Sequence, residues 1–339
     1  WKTKSIYTAN ARNCEINRLT NMMILYLVFL VIFAFLFIKF LTADGDFTLL
    51  SKGKVKREEI EDKVIWITGA SRGIGEILAK QLASLGAKLI ISARNEAELQ
   101  HVKQQLTGKY APRDVMVLPL DLTSGEESLR LAVEKAESFF DAAGVDYMIH
   151  NAAYERPKST ALDVTEETLK AMLNVNVVGP ISMTRMLVPY MLKRGRGHLV
   201  VMSSAAGKTP APGQAVYSAS KFAVNGYFHS LRSELCRKGI KVTVVCPGPV
   251  ETPNPRTGST ERRVSSERCA ELIIVAVSHG IKEAWISCQP VLAVMYLMQY
   301  MPSVGYWLMD KIGEKRVEVG AQKGNTYSIN LLFDKKKES

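Results

Sequence analysis

The chain has 339 residues, of which 47% are hydrophobic and 23% charged, and these fractions exclude a wholly disordered protein. Its 23 glycines and 13 prolines are too few for a collagen-like chain. The formal net charge is +11, but the basic residues are spread along the chain and form no long run with interleaved aromatics, so no nucleic-acid partner is predicted. The five cysteines are widely spaced and form no CxxC pair, and they predict neither a disulfide framework nor a metal site.

The first predicted element is a membrane anchor over residues 22–41, preceded by an N-terminal flank, 1–21. Met22–Ile38 reads MMILYLVFLVIFAFLFI, with no charge, and Lys39 lies at its edge. A single span needs about 20 apolar residues. A buried core helix of a soluble domain would have a polar face, and a cleaved signal peptide would be followed by a small-residue site. Neither pattern is present here, so we expect a retained, single-pass anchor.

The charges around the anchor do not select an orientation, because basic residues flank it in nearly equal number on both sides. The chain ends in Lys336-Lys337-Glu338-Ser339, which resembles the dilysine retrieval signal of endoplasmic reticulum membrane proteins. A solvated charged tail is the alternative. We therefore expect the endoplasmic reticulum membrane as the location, with the side of the main domain left open.

After a polar linker over 42–61, short apolar runs alternate with segments of helical spacing. The apolar runs are Lys63–Thr68, Ala87–Ser92, Val115–Leu118, Val145–Ile149, His198–Ser203, Lys241–Cys246 and Ala284–Ser287. The helical segments are Gly73–Leu85, Glu96–Leu106, Ser128–Ala143, Thr165–Arg194, Ala215–Arg237 and Leu272–Val277. This alternation predicts an α/β fold with one doubly wound parallel sheet and helices on both faces, over about 62–287.

Two further segments have unusual compositions. Pro247–Arg268 is rich in Pro, Thr, Ser and Arg and predicts a mobile loop beside a site. Pro290–Trp307, within a C-terminal extension over 288–339, is rich in Met, Tyr and Trp. Such a surface suits membrane contact or cover for an apolar substrate, and an ordinary core or dimer face is the equal alternative.

A phosphate-binding loop is predicted where the first apolar run ends. The residues there are Thr68-Gly69-Ala70-Ser71-Arg72-Gly73-Ile74-Gly75, and a helical segment begins among them. Glycines let the backbone approach a pyrophosphate, and a helix N-terminus offers free N–H groups and a positive dipole end. A strand before and a helix after are the context that this motif requires. The predicted cofactor-binding residues of the loop are Gly69, Ser71, Arg72, Gly73, Ile74 and Gly75.

The second apolar run ends in Ser92-Ala93-Arg94, without a carboxylate. A site for NAD(H) favours an acid here for the ribose 2′-hydroxyl, whereas a 2′-phosphate favours a cation. Guanidinium groups suit phosphate, and Arg72 lies in the glycine loop as a second cation. The sequence therefore predicts NADP(H) rather than NAD(H).

Tyr217 and Lys221 are four residues apart in a predicted helix and so lie on one face. A free phenol has a pKa near 10, and a neighbouring ammonium group lowers it by stabilising the phenolate. The pair therefore suits general acid and base chemistry at a carbonyl or alcohol oxygen. The lysine also suits a hydrogen bond to the nicotinamide ribose.

The Gly-xxx-Gly-x-Gly spacing and the Tyr-xxx-Lys pair together resemble the short-chain dehydrogenase/reductase family. The resemblance implies a Rossmann-type domain in which Asn176, Ser204, Tyr217 and Lys221 are catalytic. It further implies cofactor contacts from Asp121, Asn151, Tyr217, Lys221, Pro247, Gly248, Val250 and Thr252. In the segment His150-Asn151-Ala152-Ala153, His150 and Ala153 replace the family's Asn and Gly. We expect retained cofactor binding there and a packing role for His150.

The anchor, Arg94 and the segment Tyr217–Asn225 (YSASKFAVN) resemble the microsomal branch of the family. That branch implies an NADP(H)-dependent oxidoreductase that interconverts a carbonyl and an alcohol on a steroid, retinoid or related lipid at a membrane. It is also compatible with a homodimer through the long helices. A 3-ketosphinganine-type lipid reductase is one alternative. A non-catalytic, membrane-tethered NADP(H)-binding scaffold is another, supported only by the altered His150–Ala153 motif.

Overall fold

The structure, a computed structural model, describes residues 2–141, 143–155, 160–251 and 262–323. The chain divides into two compact units, 1–43 and 44–339. The first contains helix α1 (Lys2–Thr42), whose stretch Asn17–Thr42 is long and apolar enough to cross a membrane. At 1.5 Å per residue this stretch is roughly 39 Å long, more than the hydrocarbon core of about 30 Å.

The second unit is built on one parallel sheet of seven strands. They are β1 (Val64–Thr68), β2 (Lys88–Ser92), β3 (Met116–Val117), β4 (Tyr147–His150), β5 (Gly197–Met202), β6 (Ile240–Pro247) and β7 (Glu283–Ile286). Their spatial order is β3-β2-β1-β4-β5-β6-β7. Each strand begins and ends within two residues of a predicted apolar run. The predicted doubly wound α/β sheet is confirmed.

Helices connect the strands and cover the sheet. In chain order after α1 they are α2 (Phe47–Leu50), α3 (Gly73–Ser84), α4 (Glu96–Gln105), α5 (Glu126–Phe139), α6 (Glu166–Leu173), α7 (Gly179–Arg194), α8 (Ala215–Leu235), α9 (Ser266–Ser278), α10 (Val291–Tyr300) and α11 (Pro302–Lys323). A π-helical turn, Asn174–Val178, joins α6 to α7. The long helix predicted over Thr165–Arg194 is therefore present, with this turn inside it.

Burial explains why the strands read as continuous apolar runs. All five residues of β1 are buried, because helices cover both faces of a parallel sheet. The core includes Ile65 and Ile67 from β1, Leu78 from α3 and Ile273 from α9, each with no exposed area.

The position of β1 creates a crevice at the carboxyl ends of the strands. β1 pairs with β2 on one side and with β4 on the other. The chain therefore passes through β2 and β3 and returns across β1 before it forms β4. Loops leaving β1 and β4 diverge at such a reversal, which is where open α/β sheets bind ligands.

The segment predicted as a linker packs onto the edge of the sheet from Asp44 onwards. The Asp46 carboxylate accepts hydrogen bonds from the backbone N–H of Trp285 at 2.6 Å and of Leu49 at 2.9 Å. Leu49 and Ile60 have no exposed area. This part of 42–61 therefore belongs to the body of the second unit.

The predicted loop over Pro247–Arg268 is shorter at its C-terminal end than expected. Helix α9 begins at Ser266 rather than near Leu272, because the Ser265 side chain accepts a hydrogen bond from the N–H of Arg268 and caps the first turn. Residues 252–261 of this loop lie outside the described residues.

Candidate functional site

The glycine loop after β1 is a tight turn that admits no side chain at two of its positions. Gly69 has a φ of +67°, and a Cβ there would lie 2.8 Å from Cα of Ala152. A Cβ at Gly75 would lie 2.2 Å from the carbonyl oxygen of Gly69. The turn therefore packs the start of α3 against its own loop and against the end of β4, as a close backbone approach to a dinucleotide requires.

Thr68 joins the loops that leave β1 and β4. Its hydroxyl donates to the carbonyl oxygen of Ile149 at 3.2 Å and accepts from the N–H groups of Asn151 at 3.1 Å and Ala152 at 3.2 Å. Asn151 Nδ2 donates in turn to the carbonyl oxygens of Thr68 at 3.0 Å and Gly69 at 3.1 Å. The predicted residue Asn151 therefore braces the glycine loop. Thr68 was not among the predicted site residues, although a hydroxyl residue at a strand end was a visible signal.

These two loops and the end of β2 enclose a cleft of about 1400 Å³. Nine of the predicted cofactor-binding residues line it: Gly69, Ser71, Arg72, Gly73, Ile74, Gly75, Arg94, Asp121 and Asn151. The walls also include residues that the sequence analysis did not select, among them Thr68, Ala93, Leu122, Ala152 and Val175. Most of these follow strand ends, so their position in the chain was the signal.

Arg94 and Asp121 lie on the same wall of the cleft and influence each other electrostatically. Burial raises the pKa of the Asp121 carboxyl, but hydrogen bonds from Thr123 and the Arg94 charge outweigh this, and the pKa lies below its usual value. The N–H and hydroxyl of Thr123 both donate to Asp121 Oδ1 at 2.8 Å. Asp121 is therefore an ionised acceptor beside a cation.

Lys221 lies on α8 and is 3% exposed. Its Nζ donates to the carbonyl oxygen of Met202, the last residue of β5, at 2.8 Å and lies 5.4 Å from the ring centre of Tyr217. Burial lowers the pKa of the lysine from its usual 10.5 to about 8, and the charge of Glu155 offsets part of this effect. The ammonium group and the phenol are therefore held on one face of the helix, as their spacing predicted.

Ser204 follows β5 and begins a short 3₁₀ turn, Ala205–Gly207. Its Oγ accepts from the N–H of Ala206 at 3.1 Å and lies 3.5 Å from the carbonyl oxygen of Pro247, to which it donates. Ser204 and Pro247 therefore meet at the carboxyl ends of the neighbouring strands β5 and β6.

Asn176 lies in the π-helical turn, a distortion that is frequent at functional sites. Its Oδ1 accepts from the N–H of Tyr154 at 2.7 Å. Its Nδ2 donates to the carbonyl oxygen of Tyr154 at 3.0 Å and to Ser220 Oγ at 3.1 Å. Asn176 therefore ties the loop after β4 to the helix that carries Tyr217 and Lys221.

The remaining predicted residues follow β6. The N–H of Gly248 donates to the carbonyl oxygen of Ile286 at 2.8 Å, and Val250 forms a bridge with Val264. Thr252 lies outside the described residues. The predicted residues thus form two groups: the walls of the cleft, and the strand ends and helix α8 that carry Ser204, Tyr217 and Lys221.

His150, which replaces the family's asparagine, is buried in the core. Its Nε2 lies 2.9 Å from Thr184 Oγ1, and its ring packs 5.6 Å from that of Phe228. Burial lowers the pKa of this histidine to about 3, so it is neutral at physiological pH. The predicted packing role is confirmed. Ala153, the other altered residue, lines the cleft.

The glycine loop at the sheet reversal, the braced cleft and the Tyr-xxx-Lys pair all lie within the part of the chain that matches a known family. Residues 63–262 match the family described as short chain dehydrogenase, and the chain belongs to this family. The resemblance stated from the motifs is confirmed.

The curated relatives cover most of the chain. It is 36% identical over 302 residues to dehydrogenase/reductase SDR family member 7 of Homo sapiens, an alignment that covers 83% of this chain and 87% of that protein. It is 34% identical over 273 residues to dehydrogenase/reductase SDR family protein 7-like of Drosophila melanogaster, covering 75% and 82%.

Two solved structures extend the comparison. A metagenomic short-chain oxidoreductase in complex with NADP is 26% identical and superposes with a TM-score of 0.55, over 65% of this chain and 92% of that one. A short-chain dehydrogenase from Burkholderia cenocepacia J2315 gives a TM-score of 0.63 at 23% identity, over 74% and 98%, and supports the fold.

Proposed function

We propose that the protein is an NADP(H)-dependent oxidoreductase that interconverts a carbonyl and an alcohol on a lipophilic substrate at a membrane. The observation that carries this proposal is the buried ammonium group of Lys221 beside the ring of Tyr217, at 5.4 Å from its centre. An ammonium group without water around it acts strongly on a neighbouring phenol, because the local dielectric is low.

The residues of the cleft fit a phosphorylated dinucleotide. The start of α3 offers N–H groups to a pyrophosphate, and the crowding at Gly69 and Gly75 leaves the backbone itself as the binding surface. Arg72 and Arg94 line the cleft as cations suited to a 2′-phosphate. NADP(H), when bound, supplies or accepts the hydride. The related metagenomic oxidoreductase, whose structure contains NADP, supports this choice.

The proton chemistry belongs to Tyr217. In carbonyl reduction its hydroxyl gives a proton to the substrate oxygen, and in alcohol oxidation the phenolate takes it back. The Lys221 charge lies beside the Tyr217 ring and favours the phenolate form. Ser204 holds the reacting oxygen by a hydrogen bond. Asn176 holds the loop after β4 against helix α8 through its hydrogen bonds to Tyr154 and Ser220.

The membrane part of the proposal is supported by the apolar stretch Asn17–Thr42. We propose a single-pass protein of the endoplasmic reticulum, with the catalytic domain at 62–287 and the segment from Asp44 onwards as part of the same unit. The dilysine-like tail on which that location partly rests lies outside the described residues.

The test is a turnover assay on the full-length protein in detergent. NADPH and NADH are each offered with a panel of ketosteroids, retinal and long-chain keto-lipids, including 3-ketosphinganine. We expect oxidation of NADPH with at least one carbonyl. In Tyr217→Phe we expect the turnover rate to fall about 10²–10⁴-fold while nucleotide binding is retained. Normal NADPH binding without turnover on any substrate would instead support the scaffold alternative, and full turnover in Tyr217→Phe would refute the role of Tyr217.

A further inference from the structure

An exposed apolar surface, which we call the aromatic patch, lies on α2, α10 and the first turns of α11. Its members are each between 42% and 73% exposed: Phe47, Tyr300, Met301, Val304, Tyr306 and Trp307. Scattered apolar residues are normal on protein surfaces, whereas a continuous group of large ones marks a contact with a partner or a membrane.

Ring contacts join the parts of the patch on α2 and α10. The N–H of Phe47 donates to Tyr296 Oη at 3.2 Å, and the two ring centres are 6.2 Å apart. Tyr296 stacks on Tyr300 at 6.2 Å and meets Trp285 of β7 edge-on at 4.9 Å. The aromatic rings therefore connect α2 to α10 on the edge of the sheet.

The exposed residues lie on the outer face of α10 and α11, while other residues of the same helices are buried. Met295 has no exposed area, and Met298 and Met309 are 8% and 5% exposed. A Cβ on Gly305 would lie 2.3 Å from Met298 Sδ, so α10 and α11 pack closely. These three methionines thus face inward, whereas Met301, Tyr306 and Trp307 remain exposed for an external partner.

Covalent linkage places the patch within reach of a bilayer. Phe47 is five residues beyond Thr42, where α1 ends. Five residues of extended chain span at most about 17 Å. If Asn17–Thr42 crosses a membrane, Phe47 must therefore lie within about 17 Å of the point where the helix leaves it.

Side-chain chemistry favours lipid over a second copy of the chain. Tyr and Trp are enriched at membrane interfaces, where an apolar ring and a polar group suit the boundary. Lys311 Nζ lies 4.0 Å from the ring centre of Trp307, and the exposed residues Lys52, Lys54 and Lys56 follow Phe47 closely. Basic residues next to a span attract anionic lipids, whereas two copies would each bring a net charge of +11.

We propose that the aromatic patch binds the interface of the bilayer that α1 enters, with Tyr306 and Trp307 at headgroup depth. This inference rests on the membrane location in the proposed function. Helix α11 also carries Arg316, which is 2% exposed and whose Nη1 donates to the carbonyl oxygen of Pro210 at 3.3 Å. Docking would therefore bring the segment that leads to Tyr217 close to the bilayer, from which a lipophilic substrate enters.

The test uses tryptophan quenching in the full-length protein. The protein and its Trp307→Phe variant are reconstituted in vesicles of phosphatidylcholine and phosphatidylserine, with or without brominated acyl chains. The difference in fluorescence between the two proteins is the contribution of Trp307, separated from that of the other tryptophans. We expect brominated lipid to lower this component about twofold, since interfacial residues lie next to the upper acyl carbons.

The matched control adds Leu131→Trp to the Trp307→Phe protein. Leu131 is 45% exposed on α5, which packs on α7 rather than on the patch. We expect no quenching of this tryptophan.

Three outcomes would overturn the proposal: an unquenched Trp307 in vesicle-bound protein, equal quenching at position 131, or a Val304→Cys disulfide between two copies without quenching of Trp307. None of these readouts requires turnover. A protein that is quenched at Trp307 but reduces no carbonyl refutes the proposed reaction and leaves the docking intact.

Discussion

Replacing Lys221 with Met tests the electrostatics on which the proposed chemistry depends. Met keeps an unbranched apolar stem and removes the charge. Burial lowers the pKa of this lysine to about 8 from its usual 10.5. Between these two values the unfolded chain keeps its proton while the folded protein loses it. The penalty on the folded protein is therefore full below pH 8 and is lost as the pH rises to 10.5.

The size of the effect follows from the two pKa values. At pH 7 the penalty is about 3 kcal/mol, and by pH 9.5 it has fallen to about 1 kcal/mol, because one pKa unit corresponds to about 1.36 kcal/mol. The free energy of unfolding of the wild type should therefore rise by about 2 kcal/mol relative to Lys221→Met between these pH values. Lys221→Met also removes the hydrogen bond to Met202. While Lys221 is protonated, this loss changes the difference in the free energy of unfolding between the two proteins by a constant amount.

The assay is urea unfolding of the full-length protein in detergent at pH 7 and 9.5, followed by tryptophan fluorescence, to which the fully buried Trp66 contributes. Lys241→Met is the control, because Lys241 is exposed on β6 and its removal should give no such pH dependence. The difference in the free energy of unfolding between wild type and Lys221→Met should therefore change with pH. If it stays constant, or changes in the opposite direction, burial does not lower the pKa of Lys221. The Lys221→Met protein should also lose turnover at both pH values.

Three further changes probe the cofactor cleft and the packing of the juxtamembrane segment. Arg94→Glu should shift the preference from NADPH towards NADH by at least about tenfold in kcat/KM, since a carboxylate repels a 2′-phosphate and suits a 2′-hydroxyl. Thr68→Val should lower the free energy of unfolding by about 1–3 kcal/mol in urea titrations, because the N–H groups of Asn151 and Ala152 lose their acceptor. Asp46→Ala should lower it by about 2 kcal/mol through the loss of two acceptor contacts, and Asp46→Asn, which keeps one carbonyl oxygen, by about half as much.

For each of these substitutions there is either a control variant or a result that would contradict the prediction. Arg113→Glu alters an exposed arginine and should leave the nucleotide preference unchanged. Thr48→Val removes an exposed hydroxyl and should change stability by less than about 0.5 kcal/mol. Equal use of both nucleotides by wild type and Arg94→Glu would refute the role of Arg94. An unchanged unfolding midpoint in Asp46→Ala would show that the bonds to β7 contribute nothing.

The strands and the cofactor loop were predictable because their signals are local. A strand buried on both faces needs a continuous apolar run, and β1 and β2 have such runs. The glycine spacing reflects contacts between residues that are few positions apart, such as Gly69 and Gly75. The common face of Tyr217 and Lys221 follows from the helical repeat alone.

The sequence by itself therefore determined the order of the elements, the sheet class, the family and most of the residues that line the cleft. Only the tertiary structure decided that Asp46 binds Trp285, that Thr68 braces two loops, and that Lys221 is buried deeply enough to lose much of its proton affinity. It also decided which side of α10 and α11 stays exposed. These features depend on groups up to 239 positions apart in the chain, and their distances and burial arise only when the sheet and its helices have packed.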